Sequence, residues 1–257
     1  MIYEHNLNPV AVEIFFLKIH WYSLAYVFGF IFCNYYSKYL IKKKLLNLEL
    51  SLVDDFITWL IIAVILGGRL GYVIFYNFDF YFENPVEVFK IWQGGMSFHG
   101  ALLGLIILII FYSKIKNVKF SELCNLVAYS SPIGIFLGRL ANFINAELVG
   151  RPTDGSWGIL YESEFLTRHP SQIYEAVFEG LIIFIILNFF VRSDLKNRLN
   201  GYALFLIFYS FFRFNLEFFR EPDSHLGFII NNITMGQILT FPMLLIGIIF
   251  LKNEKKL

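Results

Sequence analysis

Between Gly138 and Gly150, Arg139, Asn142, Asn145 and Glu147 crowd into the end of an otherwise apolar stretch. An ionisable side chain inside a bilayer costs roughly 2.5–3.5 kcal/mol even on the lenient insertion scale, so it faces a cavity, a partner or a substrate. A guanidinium presents a planar fork of donors that suits phosphate, which makes a phospholipid head group the natural ligand for Arg139.

Arg69 and Arg213 also fall within apolar segments. Arg213 stands in register with Tyr209 and Glu217, and spacing by four residues puts all three on one helical face, where Arg213 and Glu217 can pair. Alone that pair reads as a packing salt bridge; beside two further buried arginines it reads as part of an anion site. Glu175 and Glu179 share a face in the same way and can counter the arginines. His99 follows Gly94 and Gly95, whose freedom of backbone allows a tight entry into the next helix, and it is expected to point into the bundle. A lone membrane histidine is usually a hydrogen-bonded structural residue; its depth, shared with Arg69, Arg139 and Arg213, is what suggests chemistry. His20 and Tyr22 lie at the outer end of the first helix, where aromatic residues commonly anchor at the interface.

The elements that must position these residues are membrane helices. The chain is 57% hydrophobic and 19% aromatic, with only 16% charged residues, where a soluble domain carries about 25%. Taking about 20 apolar residues per crossing, the sequence predicts an all-α polytopic membrane protein of seven helices, at 19–37, 57–76, 97–113, 123–144, 173–191, 202–218 and 233–251. Thirteen basic residues follow the first, third, fifth and seventh helices: Lys38, Lys42, Lys43, Lys44, Lys114, Lys116, Lys119, Arg192, Lys196, Arg198, Lys252, Lys255 and Lys256. Lys18, Lys90, Arg151, Arg168 and Arg220 lie on the other side. The Lys/Arg bias places the N-terminus outside and the C-terminus in the cytoplasm, with a small outer loop region. Arg69, Arg139 and Arg213 then cluster towards the non-cytoplasmic leaflet.

Other classes find little support. Residues 1–257 read as one domain, and a net charge of +1 gives no reason to expect nucleic acid. Cys33 and Cys124 lack metal-spaced partners, so neither a disulfide framework nor a metal site is indicated. No removable signal peptide is expected, because no short apolar run precedes a small-residue cleavage site. The glycines around Arg69 follow no strand, which excludes a dinucleotide fingerprint. Gly67 and Gly71, Gly100 and Gly104, and Gly134 and Gly138 have the spacing of close helix packing.

The segment from Gly138 to Gly150 resembles the signature of the prolipoprotein diacylglyceryl transferase family. Gly67 to Tyr72, Gly94 to Gly100, His169 to Glu175 and Arg213 to Asp223 resemble further family motifs in the expected order, with a weaker likeness at Thr234 to Gln237. The resemblance covers nearly the whole chain. It implies transfer of an sn-1,2-diacylglyceryl group from phosphatidylglycerol to the lipobox cysteine thiol of a prolipoprotein signal peptide, with a thioether formed and glycerol phosphate released. It implies the bacterial cytoplasmic (inner) membrane, an active site towards the outer leaflet, and neither metal nor dissociable cofactor. His99 is the expected base, with Glu147 the alternative, and Arg139 and Arg213 are expected to stabilise the leaving phosphate. Arg139, Asn142, Tyr22, Tyr209, Gly150 and Arg69 are the expected phosphatidylglycerol-binding residues, Arg69 weighted slightly towards structure and Gly150 towards a tight turn after the helix. Ala141 and Ala146 stand where the family commonly has Gly, Val149 where it has an aromatic, and the loop from Arg151 to Arg168 is short. Periodicity alone leaves open a lipid or anion transporter using the same arginines, or an acyltransferase with His99 as base.

Overall fold

The computed structural model describes residues 3–15, 17–162, 165–193, 200–222, 227–230 and 233–253. Asp223, Lys196, Arg198, Lys255 and Lys256, named in the motif and charge readings above, lie outside them. Each of the seven predicted segments is helical, and a short helix, α3, is added: α1 (Trp21–Lys42), α2 (Ser51–Tyr76), α3 (Phe78–Glu83), α4 (Phe98–Ile115), α5 (Phe120–Ile144), α6 (Ser171–Val191), α7 (Gly201–Leu216) and α8 (Met235–Asn253). Five of them, α2, α4, α5, α6 and α8, are long and apolar enough to cross a membrane. The chain is thus a mostly helical, polytopic membrane protein. The other two predicted crossings, α1 and α7, differ from these five. At 16 residues α7 is short, since a rise of about 1.5 Å per residue leaves it below the ~30 Å of a hydrocarbon core. α1 is diluted by Tyr22, Tyr26, Asn34, Tyr35, Tyr36 and Lys38.

Short strands accompany the helices. β1 (Tyr3–His5) pairs in parallel with β4 (Ile159–Tyr161), β2 (Val10–Ile14) pairs antiparallel with β3 (Leu17–His20), and β5 (Phe228–Ile230) with β6 (Ile233–Thr234). His20 therefore closes a strand and does not begin the first helix. Strands of two to five residues are too short to leave a mark in the 20-residue apolar periodicity of the sequence.

The chain forms two compact units, one from residues 1–36 and 125–257 and the other from residues 37–124, with boundaries inside α1 and α5. In the smaller unit α2 packs on α4 through the predicted glycines: a methyl on Gly67 would sit 2.5 Å from the Gly100 carbonyl oxygen, and one on Gly104 would sit 2.4 Å from that of Ala63. Backbones that approach this closely leave room only for small residues. α2 begins six residues before its predicted start, and its acidic first turns pair at the surface, Asp54 with Lys38 at 2.6 Å and Asp55 with Lys116 at 2.9 Å.

In the larger unit the glycine reading holds in part. A methyl on Gly29 of α1 would sit 3.3 Å from the Gly134 Cα on α5, whereas one on Gly138 would meet open space. A tighter approach is at Gly180 on α6, where a methyl would fall 2.6 Å from Phe136 Cβ and 2.7 Å from its Cα on α5. Around this point α6 widens into a π-helical stretch, Ala176–Ile182, a feature that occurs frequently at functional sites.

Candidate functional site

The Gly180 contact draws α6 against α5 beside Arg139. Arg139 meets Glu175 at 2.9 Å and Glu179 at 3.1 Å. Arg213, from α7, meets the same two carboxylates at 3.2 and 3.4 Å and pairs with Glu217 one turn on at 2.7 Å. The predicted convergence of Arg139, Arg213, Glu175, Glu179 and Glu217 is therefore present within one unit. Glu175 and Glu179 are fully enclosed, while the Arg139 and Arg213 side chains remain 17% and 13% exposed. The arginines are thus the less buried members of the network. Tyr209 lies in the field of Arg139, Arg213 and Glu179, its ring stacked on Phe205.

The sequence reading missed the third cation of this network. Arg220, counted there as an outer-loop residue, is 7% exposed and meets Glu175 at 3.4 Å. Three guanidinium groups thus face three carboxylates, which relieves the cost of removing each from water. The i, i+3 spacing of Glu217 and Arg220 was the available signal, but Arg220 lies past the end of α7, where such periodicity loses its meaning. The Thr234 to Gln237 motif also has a structural explanation. Thr234 Oγ1 donates to Glu217 Oε1 at 2.8 Å, and a methyl on Gly236 would sit 2.7 Å from the same oxygen, so this segment seats Glu217.

After α5 the chain turns sharply. Asn142 is buried and donates to Glu147 Oε2 at 3.1 Å, and Gln172 Nε2 donates to the Glu147 carbonyl at 2.7 Å, so Glu147 is fixed at both ends while its side chain faces outward. Ala146 and Leu148 take left-handed backbone angles, φ +54° and +56°. The glycine expected at position 146 is conformational in purpose, and Ala146 holds the turn against its own Cβ.

Gly150 serves a close approach, not the turn anticipated for it. It bridges to Arg220 and lies against the 169 segment, where a methyl would be 2.2 Å from the His169 carbonyl oxygen. Arg168 Nη1 donates to the Gly150 carbonyl at 3.0 Å, and Arg151 Nε donates to that of Arg220 at 2.9 Å. The short 151–168 loop is therefore tied down beside the network by its own arginines. Burial holds the His169 imidazole below its ordinary 6.5 despite the opposing charge of Asp154, and burial pushes the Tyr161 hydroxyl up to about 12.

The remaining predicted residues stand apart from these contacts. Tyr22, exposed on the first turn of α1, meets the Tyr26 hydroxyl at 3.4 Å. His99, in the smaller unit, is exposed on the first turn of α4, its ring edge-on to Phe98 at 5.7 Å, instead of being enclosed by its own unit. Arg69 is 3% exposed and has neither a carboxylate partner nor a free face for lipid among the described residues. Its N–H groups donate to backbone carbonyls of Glu87, Val88, Lys90, Gly94 and Gly95.

An arginine–glutamate network between apolar helices, bordered by the Gly138–Gly150 turn, is the setting in which comparison with known proteins becomes decisive. Residues 9–252 match the family model described as prolipoprotein diacylglyceryl transferase. The chain belongs to the prolipoprotein diacylglyceryl transferase family. It is 47% identical over 245 residues to a phosphatidylglycerol–prolipoprotein diacylglyceryl transferase of Rickettsia canadensis, covering 94% of this chain and 95% of that one. Proteins of the same name from Rickettsia bellii and Ehrlichia ruminantium are 46% and 44% identical over 253 and 255 residues, each covering 97% of this chain and, respectively, 96% and 98% of the relative. Family membership therefore spans both compact units, with His99 and Arg69 in one and the arginine–glutamate network in the other.

Proposed function

We propose that the chain is an integral membrane transferase, one functional domain over residues 1–257, that moves the sn-1,2-diacylglyceryl group of phosphatidylglycerol onto the lipobox cysteine thiol of a prolipoprotein signal peptide. The observation that carries this reading is the convergence of Arg139 and Arg213 on the α6 carboxylates, in a chain of this family. The thiol sulfur attacks the glyceryl carbon that bears the phosphate. A C–S bond forms, the C–O bond breaks, and its electron pair leaves on the phosphate oxygen as glycerol phosphate. The thiol proton passes to a base.

Each residue has a role suited to its chemistry. Negative charge grows on the departing phosphate, and cations held in place beforehand stabilise that state more than the ground state. Arg139 and Arg213 are such cations, aligned by Glu175, Glu179 and Glu217. A thiol with an ordinary pKa near 8.5 needs a base to become a strong nucleophile. His99 is that base, and Glu147 is the alternative; Glu147 is already oriented by Asn142, an arrangement that supports it. Tyr22 and Tyr209 supply hydroxyl donors to the head group, and Asn142 and Gly150 shape its surroundings. The donors of Arg69 are engaged by carbonyls, so Arg69 is not retained as a lipid ligand.

The thirteen-to-five distribution of basic residues supports seven crossings of the bacterial inner membrane, with the N-terminus outside, the C-terminus in the cytoplasm and the active site towards the outer leaflet. The test uses purified protein with phosphatidylglycerol and a lipobox peptide, comparing the wild type with a folded Arg139→Ala variant. Glycerol phosphate release and a gain in peptide mass by the wild type alone are the expected results. Movement of labelled lipid between leaflets with no peptide product would replace the enzyme with a transporter.

A further inference from the structure

Among the described residues, Arg69 is the one buried arginine that the arginine–glutamate network does not use, and its surroundings are unusual for a cation. Nε donates to the Val88 carbonyl at 2.9 Å, Nη1 to Gly94 and Gly95 at 2.6 and 3.2 Å, and Nη2 to Glu87 and Lys90 at 2.7 and 3.2 Å. A guanidinium has five N–H donors, and here each has a carbonyl. The Tyr81 ring covers the group at 5.0 Å. One side chain from the end of a membrane helix thus gathers the carbonyls of a nine-residue loop.

The loop ends at His99. Gly94 and Gly95, with φ of +86° and +75°, turn the chain, and two residues later Ser97 N–H donates to the Gly68 carbonyl at 2.8 Å, next to Arg69 itself. Ser97 then caps α4 by accepting from the Gly100 N–H at 3.2 Å, and His99 occupies the first turn of that helix. The backbone leading into His99 is therefore fixed from three directions, while the imidazole itself is exposed. An exposed base has no packing of its own to hold it, so its placement depends on the rigidity of its backbone.

We propose that Arg69 is a positioning residue for the transfer reaction, acting by clasping the 87–95 loop so that α4 presents His99 in one place. The proposal rests on the reading of His99 as the base. It assigns Arg69 no contact with phosphatidylglycerol. Lysine cannot substitute fully, because an ammonium has three donors and no fork.

The experiment is a double-variant cycle on the full-length protein, with Arg69→Gln, Gly95→Ala, His99→Gln and the two combinations that include His99→Gln. Gly95→Ala disturbs the clasp without removing the charge, since the new methyl would lie 2.8 Å from Arg69 Nη1 and 2.7 Å from the Tyr72 ring. Misplacement of a reacting group by an ångström costs about 100-fold, so Arg69→Gln and Gly95→Ala should each lower kcat by roughly 10- to 100-fold, leaving the KM for phosphatidylglycerol within about twofold. Neither should lower activity further once His99 is glutamine. Arg69→Lys should recover part of the loss. A raised KM at unchanged kcat would make Arg69 a lipid ligand after all, and costs that multiply in the combined variants would show that it acts independently of His99. Both results overturn the proposal, as does failure of both Arg69→Gln and Gly95→Ala to fold. Full activity in His99→Gln alone would remove the reading of His99 as base, and the proposal with it.

Discussion

Ala146 shows how a single position carries strain that its neighbours sustain. Its φ of +54° places Cβ against the following carbonyl, which costs a non-glycine residue about 1–2 kcal/mol. The turn holds because Asn142 and Gln172 grip Glu147 on either side. Ala146→Gly should therefore raise stability by about 1 kcal/mol, with entropy gained by the unfolded chain offsetting part of the relief. Thermal unfolding in detergent is the check, and transfer activity should not fall. His169 makes a second prediction. Its folded imidazole titrates below 6.5 because burial disfavours the charged form, so below about pH 6.5 the unfolded chain binds the proton more readily and stability falls. His169→Gln should flatten the decline in Tm between about pH 7 and pH 5 relative to the wild type; an unchanged slope would assign the acid sensitivity to other groups.

At the scale of elements, α6 organises the site. Its Gly180 permits contact with α5, its π-helical stretch spans Glu179, and its Glu175 meets Arg139, Arg213 and Arg220 at once. Removing one partner of a buried ion pair costs about 3–5 kcal/mol because the other charge is left without compensation. Glu175→Gln retains shape and removes charge, and it should destabilise the protein by an amount in that range, measured by chemical or thermal unfolding. A loss below about 1 kcal/mol, the value of an exposed pair, would mean that water reaches the arginines freely. Among the described residues the network sets three cations, Arg139, Arg213 and Arg220, against three anions, Glu175, Glu179 and Glu217, so its less buried arginines are held from behind by enclosed carboxylates.

At the scale of the whole molecule, the inferred orientation follows from where the lysines lie, and it sets which compartment supplies the thiol. With Cys33 and Cys124 replaced by serine, a single cysteine at the exposed position Trp157 should react with a membrane-impermeant thiol reagent applied to spheroplasts. A cysteine at Lys43 should react only after the membrane is opened. The reverse pattern would turn the protein over and place the arginine–glutamate network on the side away from secreted precursors.

Much of this was legible because it depends on composition and short-range periodicity. Long apolar runs dictate helices, since lipid requires every backbone polar group to be satisfied within its own segment. Spacing by four put Arg213 beside Glu217 and placed Glu175 and Glu179 on one face, and the motifs from Gly67 to Gln237 were sufficient to indicate the family. What the tertiary structure decided is which partners those charges choose. Arg69 and Arg139 look alike in sequence, an arginine after a glycine in an apolar helix, yet Arg139 meets carboxylates on α6 while Arg69 gathers five carbonyls from its own loop. Arg220 read as a solvated loop cation and is buried; Gly150 read as a turn and is a point of contact between strands of chain. These outcomes depend on segments distant in sequence brought within a few ångströms, and no local pattern encodes the distance between them.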